Sequence, residues 1–337
     1  MNYSVARRLF CPLLGFVLAS SLAQAQQARQ PMNYDGNPGG VRYLEEGQPP
    51  VVIHPTVESA RQARIQPASS GNLYYHGGTS DGSAGTIGVE TAPKVYVVFW
   101  GSQWSNDPSG EANLVDTFLS GVGGSSWLNT VTQYCQGVSS GTFFCSGGGQ
   151  AAGNQSGMFA GYWYDNGGAA PTHPKQSQLA SEAVRAAAHF GNTTVSSNAT
   201  AQYVIATAHG NNSSGFGRQY CAWHSSTTSS SGDIAYTNFP YITDAGASCG
   251  ANFNGLGANA GITIVEGHEF AETVTDQFPN GGWLDGGGSE IGDKCAWISS
   301  GQGASQDVTF STGTFPVQSL WSNAFNSDAG GCVITYP

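Results

Sequence analysis

Residues 95–100, Val-Tyr-Val-Val-Phe-Trp, form an unbroken run of β-branched and aromatic side chains. A strand with one wet face alternates apolar and polar residues. A run that is apolar at every position reads as a strand buried on both faces. Such a strand needs cover above and below, so the chain is confined to helices layered on a sheet. Tyr203-Val204-Ile205-Ala206-Thr207 repeats the pattern. Between the two runs, residues 176–190 set Leu179, Ala183, Val184, Ala187 and Phe190 on one side of a helix, with Gly191 just past its end. Strand, helix and strand in this order predict an α/β fold, a mixed sheet with a few packed helices, with α+β as the alternative.

Other elements follow from local spacing. Residues 73–78 and 158–164 read as strands, and residues 111–119 carry helical spacing at Leu114, Val115, Phe118 and Leu119. Residues 216–243 read as loop-rich with strand-like pieces. A further helix is expected over 262–276 and antiparallel strands over 308–336. Residues 71–337 are expected to form a single domain. Residues 26–70 are polar and Pro/Gln-rich and are expected to be a linker or pro-segment, with a short helix at 57–64. Residues 1–25 have the pattern of a signal peptide: Arg7 and Arg8, an apolar stretch from Leu9 to Leu22, then Ala23-Gln24-Ala25. That stretch is too short for a spanning helix, so no membrane anchor is expected.

An exported chain makes sense of the cysteines. Seven are present, one of them inside the signal, leaving Cys135, Cys145, Cys221, Cys249, Cys295 and Cys332. Six cysteines permit fifteen disulfide connectivities. Sequential pairing is favoured because each bridge closes a local loop, and no C-x-x-C spacing suggests zinc binding by thiolates.

Charge excludes one class of partner. The formal net charge is −11, and from Gly71 onward five cations face eighteen carboxylates. Nucleic-acid binding draws on phosphate neutralisation and needs the opposite balance.

Seven of the twenty-two carboxylates fall between Glu266 and Asp293, with no Lys or Arg between Arg218 and Lys294. Within this stretch, Gly267-His268-Glu269-Phe270-Ala271-Glu272 carries the pattern His-Glu-x-x-Glu. On a helix His268 and Glu272 share a face one turn apart, so both can close on one metal ion. The related H-E-x-x-H helix binds zinc and uses its Glu as general base. Zn2+ is therefore the expected ion, with Glu269 as base. Glu272 in place of a second histidine makes the site harder, so other divalent ions become possible. Asp285-Gly-Gly-Gly-Ser-Glu290 could instead bind Ca2+, though its spacing does not match the twelve-residue calcium loop. The third ligand must come from downstream, where Glu290 is the first choice and Asp293 the second. The turn at Asn280-Gly281-Gly282 would bring that segment back. His224, beside Cys221, is a candidate hydrogen-bond donor to a developing oxyanion; His76 and His209 carry less signal. The bland reading is a solvated acidic helix face followed by an acidic turn.

Taken in order, several motifs resemble the EXORDIUM (phosphate-induced protein) family of secreted plant proteins and its bacterial relatives. They are Leu73-Tyr74-Tyr75-His76-Gly77-Gly78, Val95 to Gly101 with Trp104, Cys221-Ala222-Trp223-His224, Gly267 to Glu272, and Glu290-Ile291-Gly292-Asp293-Lys294-Cys295. The resemblance spans roughly residues 71–335 and implies that the last three segments form one site. It also implies an extracellular, wall-associated setting, without naming an activity. The sequence departs from the plant members in its longer Gly/Ser/Asn loops. The expectation is a secreted zinc endopeptidase acting on a protein or peptide as a monomer. The alternative is a non-catalytic extracellular protein with a structural metal site, binding a partner such as cell-wall polysaccharide through its aromatics.

Overall fold

Side chains of the 95–100 run part to opposite faces. Val95, Val97 and Phe99 enter one apolar cluster, and Tyr96 and Val98 enter another. The structure, a computed structural model, describes Met1 and residues 39–63, 71–78 and 87–335. Residues 32–337 form one compact unit, which is the unit described below. Apart from Met1, the expected signal peptide over residues 1–25 lies outside the described residues.

Seven strands make the main sheet: β1 (Gly40–Arg42), β2 (Val51–Pro55), β3 (Lys94–Trp100), β4 (Phe159–Asp165), β5 (Ala201–Thr207), β6 (Tyr220–Ser229) and β7 (Gly232–Phe239). Their order is β1-β2-β6-β7-β5-β3-β4. The β7-β5, β5-β3 and β3-β4 pairs are parallel, and β1-β2, β2-β6 and β6-β7 are antiparallel. The sheet is mixed and the fold is α/β, as its parallel core strands predict.

The four longest α-helices among the described residues are α1 (Val57–Ala63), α2 (Glu111–Val122), α3 (Gln176–His189) and α4 (Ala260–Thr275). On one face α3 lays Leu179, Ala183, Ala186 and Ala187 against Tyr96, Val98, Tyr203 and Ile205. On the other, Val115, Phe118 and Leu119 of α2 and Ile264, Val265 and Phe270 of α4 cover Val95, Val97 and Phe99. Every residue of α4 is buried, because the hairpin β8 (Gln306–Phe310) and β9 (Gly313–Val317) closes its remaining side. Gly267 permits this packing: a Cβ there would lie 3.1 Å from the Phe118 ring and 3.2 Å from Trp127. The disulfides are Cys135–Cys145, Cys221–Cys249 and Cys295–Cys332, the sequential pairing. Among the described residues no helix is long and apolar enough to cross a membrane.

Two stretches differ from expectation. Residues 216–243 hold the two longest strands of the sheet, β6 and β7. All of β7 is buried despite Asp233, Thr237 and Asn238. Its polar side chains find partners, with Asn238 Nδ2 donating to Ser213 Oγ at 3.0 Å and Thr228 Oγ1 to Asp233 at 3.3 Å. Residues 39–63, expected within a linker or pro-segment, carry β1, β2 and α1 and belong to the sheet. The β2 run Val51-Val52-Ile53 is β-branched throughout; the surrounding polar composition hid it.

Buried acids also lie outside the acidic stretch, Glu90, Glu111, Glu182 and Asp233 among them. Glu90 is fully buried, with its carboxylate accepting from Gln202 Nε2 at 2.7 Å. Burial pushes its carboxyl up to about 8. A folded-state pKa above the unfolded one favours the protonated form, so this contribution to stability is present at low pH. It is lost as pH rises from the ordinary carboxylate range through about 8. Glu90→Gln should therefore gain on the wild type by about 1.4 kcal/mol per pH unit across that window. Urea unfolding of both proteins at several pH values measures the difference, and parallel curves would refute it.

Candidate metal centre

Helix α4 presents His268, Glu269 and Glu272 within five residues, and Asp276 caps its end. Asn280 and Gly282 take positive φ (74° and 44°), turning the chain back. The short strand Trp283–Leu284 then pairs with Tyr74–Tyr75, and residues 285–293 return alongside α4. Gly292 is the contact point: a Cβ there would come within 2.6 Å of His268 Nδ1 and 2.9 Å of Glu272 Oε1. Only a residue without a side chain lets the returning loop approach so closely.

The loop backbone also orients Glu272. Its Oε1 accepts from Gly292 N at 3.2 Å and Asp293 N at 2.8 Å. Oε2 is left facing His268 Nε2 at 3.0 Å. Asp293 Oδ1 lies 3.9 Å from the same nitrogen, while Asp293 Oδ2 accepts from Glu290 N at 3.1 Å. The three side chains offer ligand atoms within 4.8 Å of one another and could hold a metal ion.

The tautomer of His268 follows from its neighbour. Gln318 spends its amide hydrogens on the carbonyls of Gly292 (2.9 Å) and Ser319 (3.2 Å). Its Oε1 therefore faces His268 Nδ1, at 3.3 Å, and can only accept. Nδ1 carries the proton and Nε2 presents a lone pair to Glu272 and Asp293. Metal-binding histidines take this arrangement, the second nitrogen held by an acceptor outside the ligand set.

His224, on β6, sits across the cluster. Nδ1 donates to Glu269 Oε2 at 3.0 Å, and Nε2 lies 3.5 Å from Glu290 Oε1. Glu290 thus faces His224 and not His268. The group that includes Glu290 is His224, Glu272 and Glu290, and Asp293 completes the group with His268. The expected trio of His268, Glu272 and Glu290 is therefore corrected: Asp293, the second choice, stands beside His268 because the close approach at Gly292 brings it there. Both nitrogens of His224 face carboxylates, which leaves it no free donor for an oxyanion, the role expected of it.

All of these side chains are shielded from water. Burial pushes the carboxyls of Glu272 and Asp276 up to about 7, and those of Glu290 and Asp293 well above the usual range. It also holds the His268 imidazole below its ordinary value. For His224 burial opposes the charge, but the carboxylates of Glu290 and Glu269 outweigh it and raise the imidazole well above normal. Glu269 Oε1, Glu272 Oε2, Asp276 Oδ2, Asp293 Oδ1, His268 Nε2 and both oxygens of Glu290 have no hydrogen-bond partner. Orphaned acceptors of this kind, converging without a donor, fit a divalent cation. A solvated acidic face, the bland reading, would leave them wet.

Sequence reasoning missed His54 and Gln318. His54, on β2, packs its ring edge-on to His268 at 4.0 Å between centroids and shares Gln318 Oε1 at 3.3 Å. A histidine inside a β-branched run was the available signal. His76 stacks on Tyr74, and His209 pairs with Asp244 at the surface; neither joins a metal-ligand group. Asp285, at the start of the segment weighed for calcium, accepts from Gly287 and Ser289 of its own turn and pairs with Lys294. No family model matches this chain, and no curated protein or solved structure matches it.

Gln318→Ala should leave the ligands in place but free the His268 ring to reorient. We expect about a 10–100-fold loss of metal affinity, measured by competition with a chromophoric chelator; unchanged affinity would remove Gln318 from the centre.

Proposed function

We propose that this protein is an exported metal-dependent hydrolase, a zinc endopeptidase held in a covered state. The observation that carries the reading is Glu269. Its Oε2 is anchored by His224 and its Oε1 is unpartnered, one residue along the helix from His268. His268, Glu272 and Asp293 would hold the ion, whose chemistry when bound is Lewis acidity that lowers the pKa of water beside it. Glu269 then accepts a proton at Oε1 and passes it to the leaving amine. His224 fixes the carboxylate's direction through Nδ1–H and is thus a positioning residue. The three disulfides and the expected signal peptide suit an oxidising, extracellular setting, in line with the EXORDIUM resemblance.

The substrate class rests on β2. This strand pairs antiparallel with β6, setting Val52 opposite His224 and Ile53 opposite Trp223. Its His54 lies over His268, and Gly39 abuts the Asp293 carboxyl. Trp297 Nε1 pins the exit of β2 at the Pro55 carbonyl, 2.7 Å away. An extended segment of this chain therefore lies across the centre, hydrogen-bonded to the strand that carries His224. If β2 withdrew, the β6 edge would accept another extended peptide by the same main-chain bonds. Residues 39–63 act in this reading as the pro-segment.

Complete burial favours a second reading, a closed structural metal site in a non-catalytic protein. Structural sites are saturated by protein ligands, whereas catalytic ones keep a position open. Two measurements separate the readings. Glu269→Gln should cut peptide turnover by on the order of 10²–10⁴ with metal content unchanged; full turnover in that variant ends the catalytic reading. Limited trypsin digestion, followed by mass spectrometry, should raise activity as the segment carrying β1 and β2 is released. Activity that falls in step with release, or none before or after it, supports the structural site.

A further inference from the structure

One imidazole, His268, belongs to the proposed metal site, and a second is set up in the same way. Carboxylate oxygens only accept, so His224 Nδ1, 3.0 Å from Glu269 Oε2, carries a proton. Its Nε2 has no hydrogen-bond partner and lies 3.5 Å from Glu290 Oε1. Neither oxygen of Glu290, nor Asp276 Oδ2, meets an N–H or hydroxyl donor, and the two carboxyls stand within hydrogen-bonding reach of each other. The other Asp276 oxygen accepts from Gly281 N at 3.1 Å.

We propose that the centre is built for two divalent cations. His268, Glu272 and Asp293 hold the first, the site assumed in the functional reading. His224 and Glu290 hold the second, with Asp276 adjoining and Glu272 shared between the two. His224, Glu272 and Glu290 offer ligand atoms within 4.8 Å of one another, as do His268, Glu272 and Asp293. Glu272 is a member of both groups; its Oε2 lies 3.0 Å from His268 Nε2 and 3.8 Å from His224 Nδ1, the nitrogen turned toward Glu269. Paired-ion hydrolase centres hold their metals about 3.5–4 Å apart. The second set is richer in oxygen and suits a harder ion such as Mn2+ as well as Zn2+.

Charge points the same way. Glu269, Glu272, Asp276, Glu290 and Asp293 are five carboxyl groups with side chains shielded from water. The nearest lysine in sequence, Lys294, is spent on Asp285 at 2.7 Å and on the face of Trp321. With neutral imidazoles and ionised acids, one divalent ion would leave three negative charges enclosed, and two would leave one. The competing arrangement is an imidazolium: His224 protonated on both nitrogens between Glu269 and Glu290, standing in for the second cation.

Metal counting decides. The full chain is equilibrated with excess Zn2+ or Mn2+ and desalted, and metal per chain is read by plasma mass spectrometry. Circular dichroism confirms that each variant is folded. Two ions per wild-type chain are expected, one in Glu290→Gln and one in Asp293→Asn. The Mn2+-loaded wild type should also give the spin-coupled electron paramagnetic resonance spectrum of a paired centre. This spectrum needs no variant to fold. One ion per wild-type chain, unaffected by Glu290→Gln and with an uncoupled spectrum, overturns the second site and leaves the functional reading standing. No bound ion overturns both.

Discussion

Burying carboxylates without a countercharge is among the costliest things a fold can do, at several kcal/mol per ion even after relaxation. This protein gathers six of them on and beside α4, Glu266, Glu269, Glu272, Asp276, Glu290 and Asp293, and closes the space over them. Their pKa values are raised chiefly by burial, with neighbouring carboxylates adding to it at Asp276, Glu290 and Asp293, and the imidazoles of His54, His224 and His268 lie among or against them. A bound cation resolves the conflict with the groups already present, because the orphaned lone pairs converge. Much of the surrounding structure can be understood as holding these anions in place: the buried all-round helix, the glycine contact at Gly292 and the amide of Gln318.

The placement of those supports links fold to chemistry. A central helix with every face covered gives its side chains little freedom, and the returning loop fixes Glu272 through two backbone N–H groups. Preorganisation of this kind keeps ligands at a set separation whether or not an ion is present. The same enclosure raises the question of access. The covering piece is itself a strand, attached to β6 by main-chain pairing, and main-chain pairing is exchangeable with any other extended segment.

Much of this was legible in the chain. The parallel strands β3 and β5 announced themselves because burial on both faces demands apolar residues at every position. The α3 and α4 helices followed from spacing, and the disulfides from the short loops they close. The pairing of His268 with Glu272 followed from helical periodicity. Other features had no local signature. β7 carries Asp233, Thr237 and Asn238, whose partners come from other elements, so its composition read only as strand-like pieces in a loop-rich stretch. β2 was hidden by its polar surroundings. The choice between Glu290 and Asp293 depended on where a glycine touches a helix, which no spacing rule encodes.

The sequence by itself determined which chemistry was available: an imidazole and a carboxylate one helical turn apart, in a stretch with no cation to neutralise it. Local periodicity is enough for that, since backbone geometry alone relates residues four apart on a helix. Tertiary structure decided which acid stands beside which histidine, which ring nitrogens are left unprotonated, and that residues 39–55 lie over the centre. These depend on contacts between segments far apart in the chain, His54 with His268 and Gln318 among them. Their geometry is set by packing and by buried hydrogen bonds that have one satisfactory arrangement.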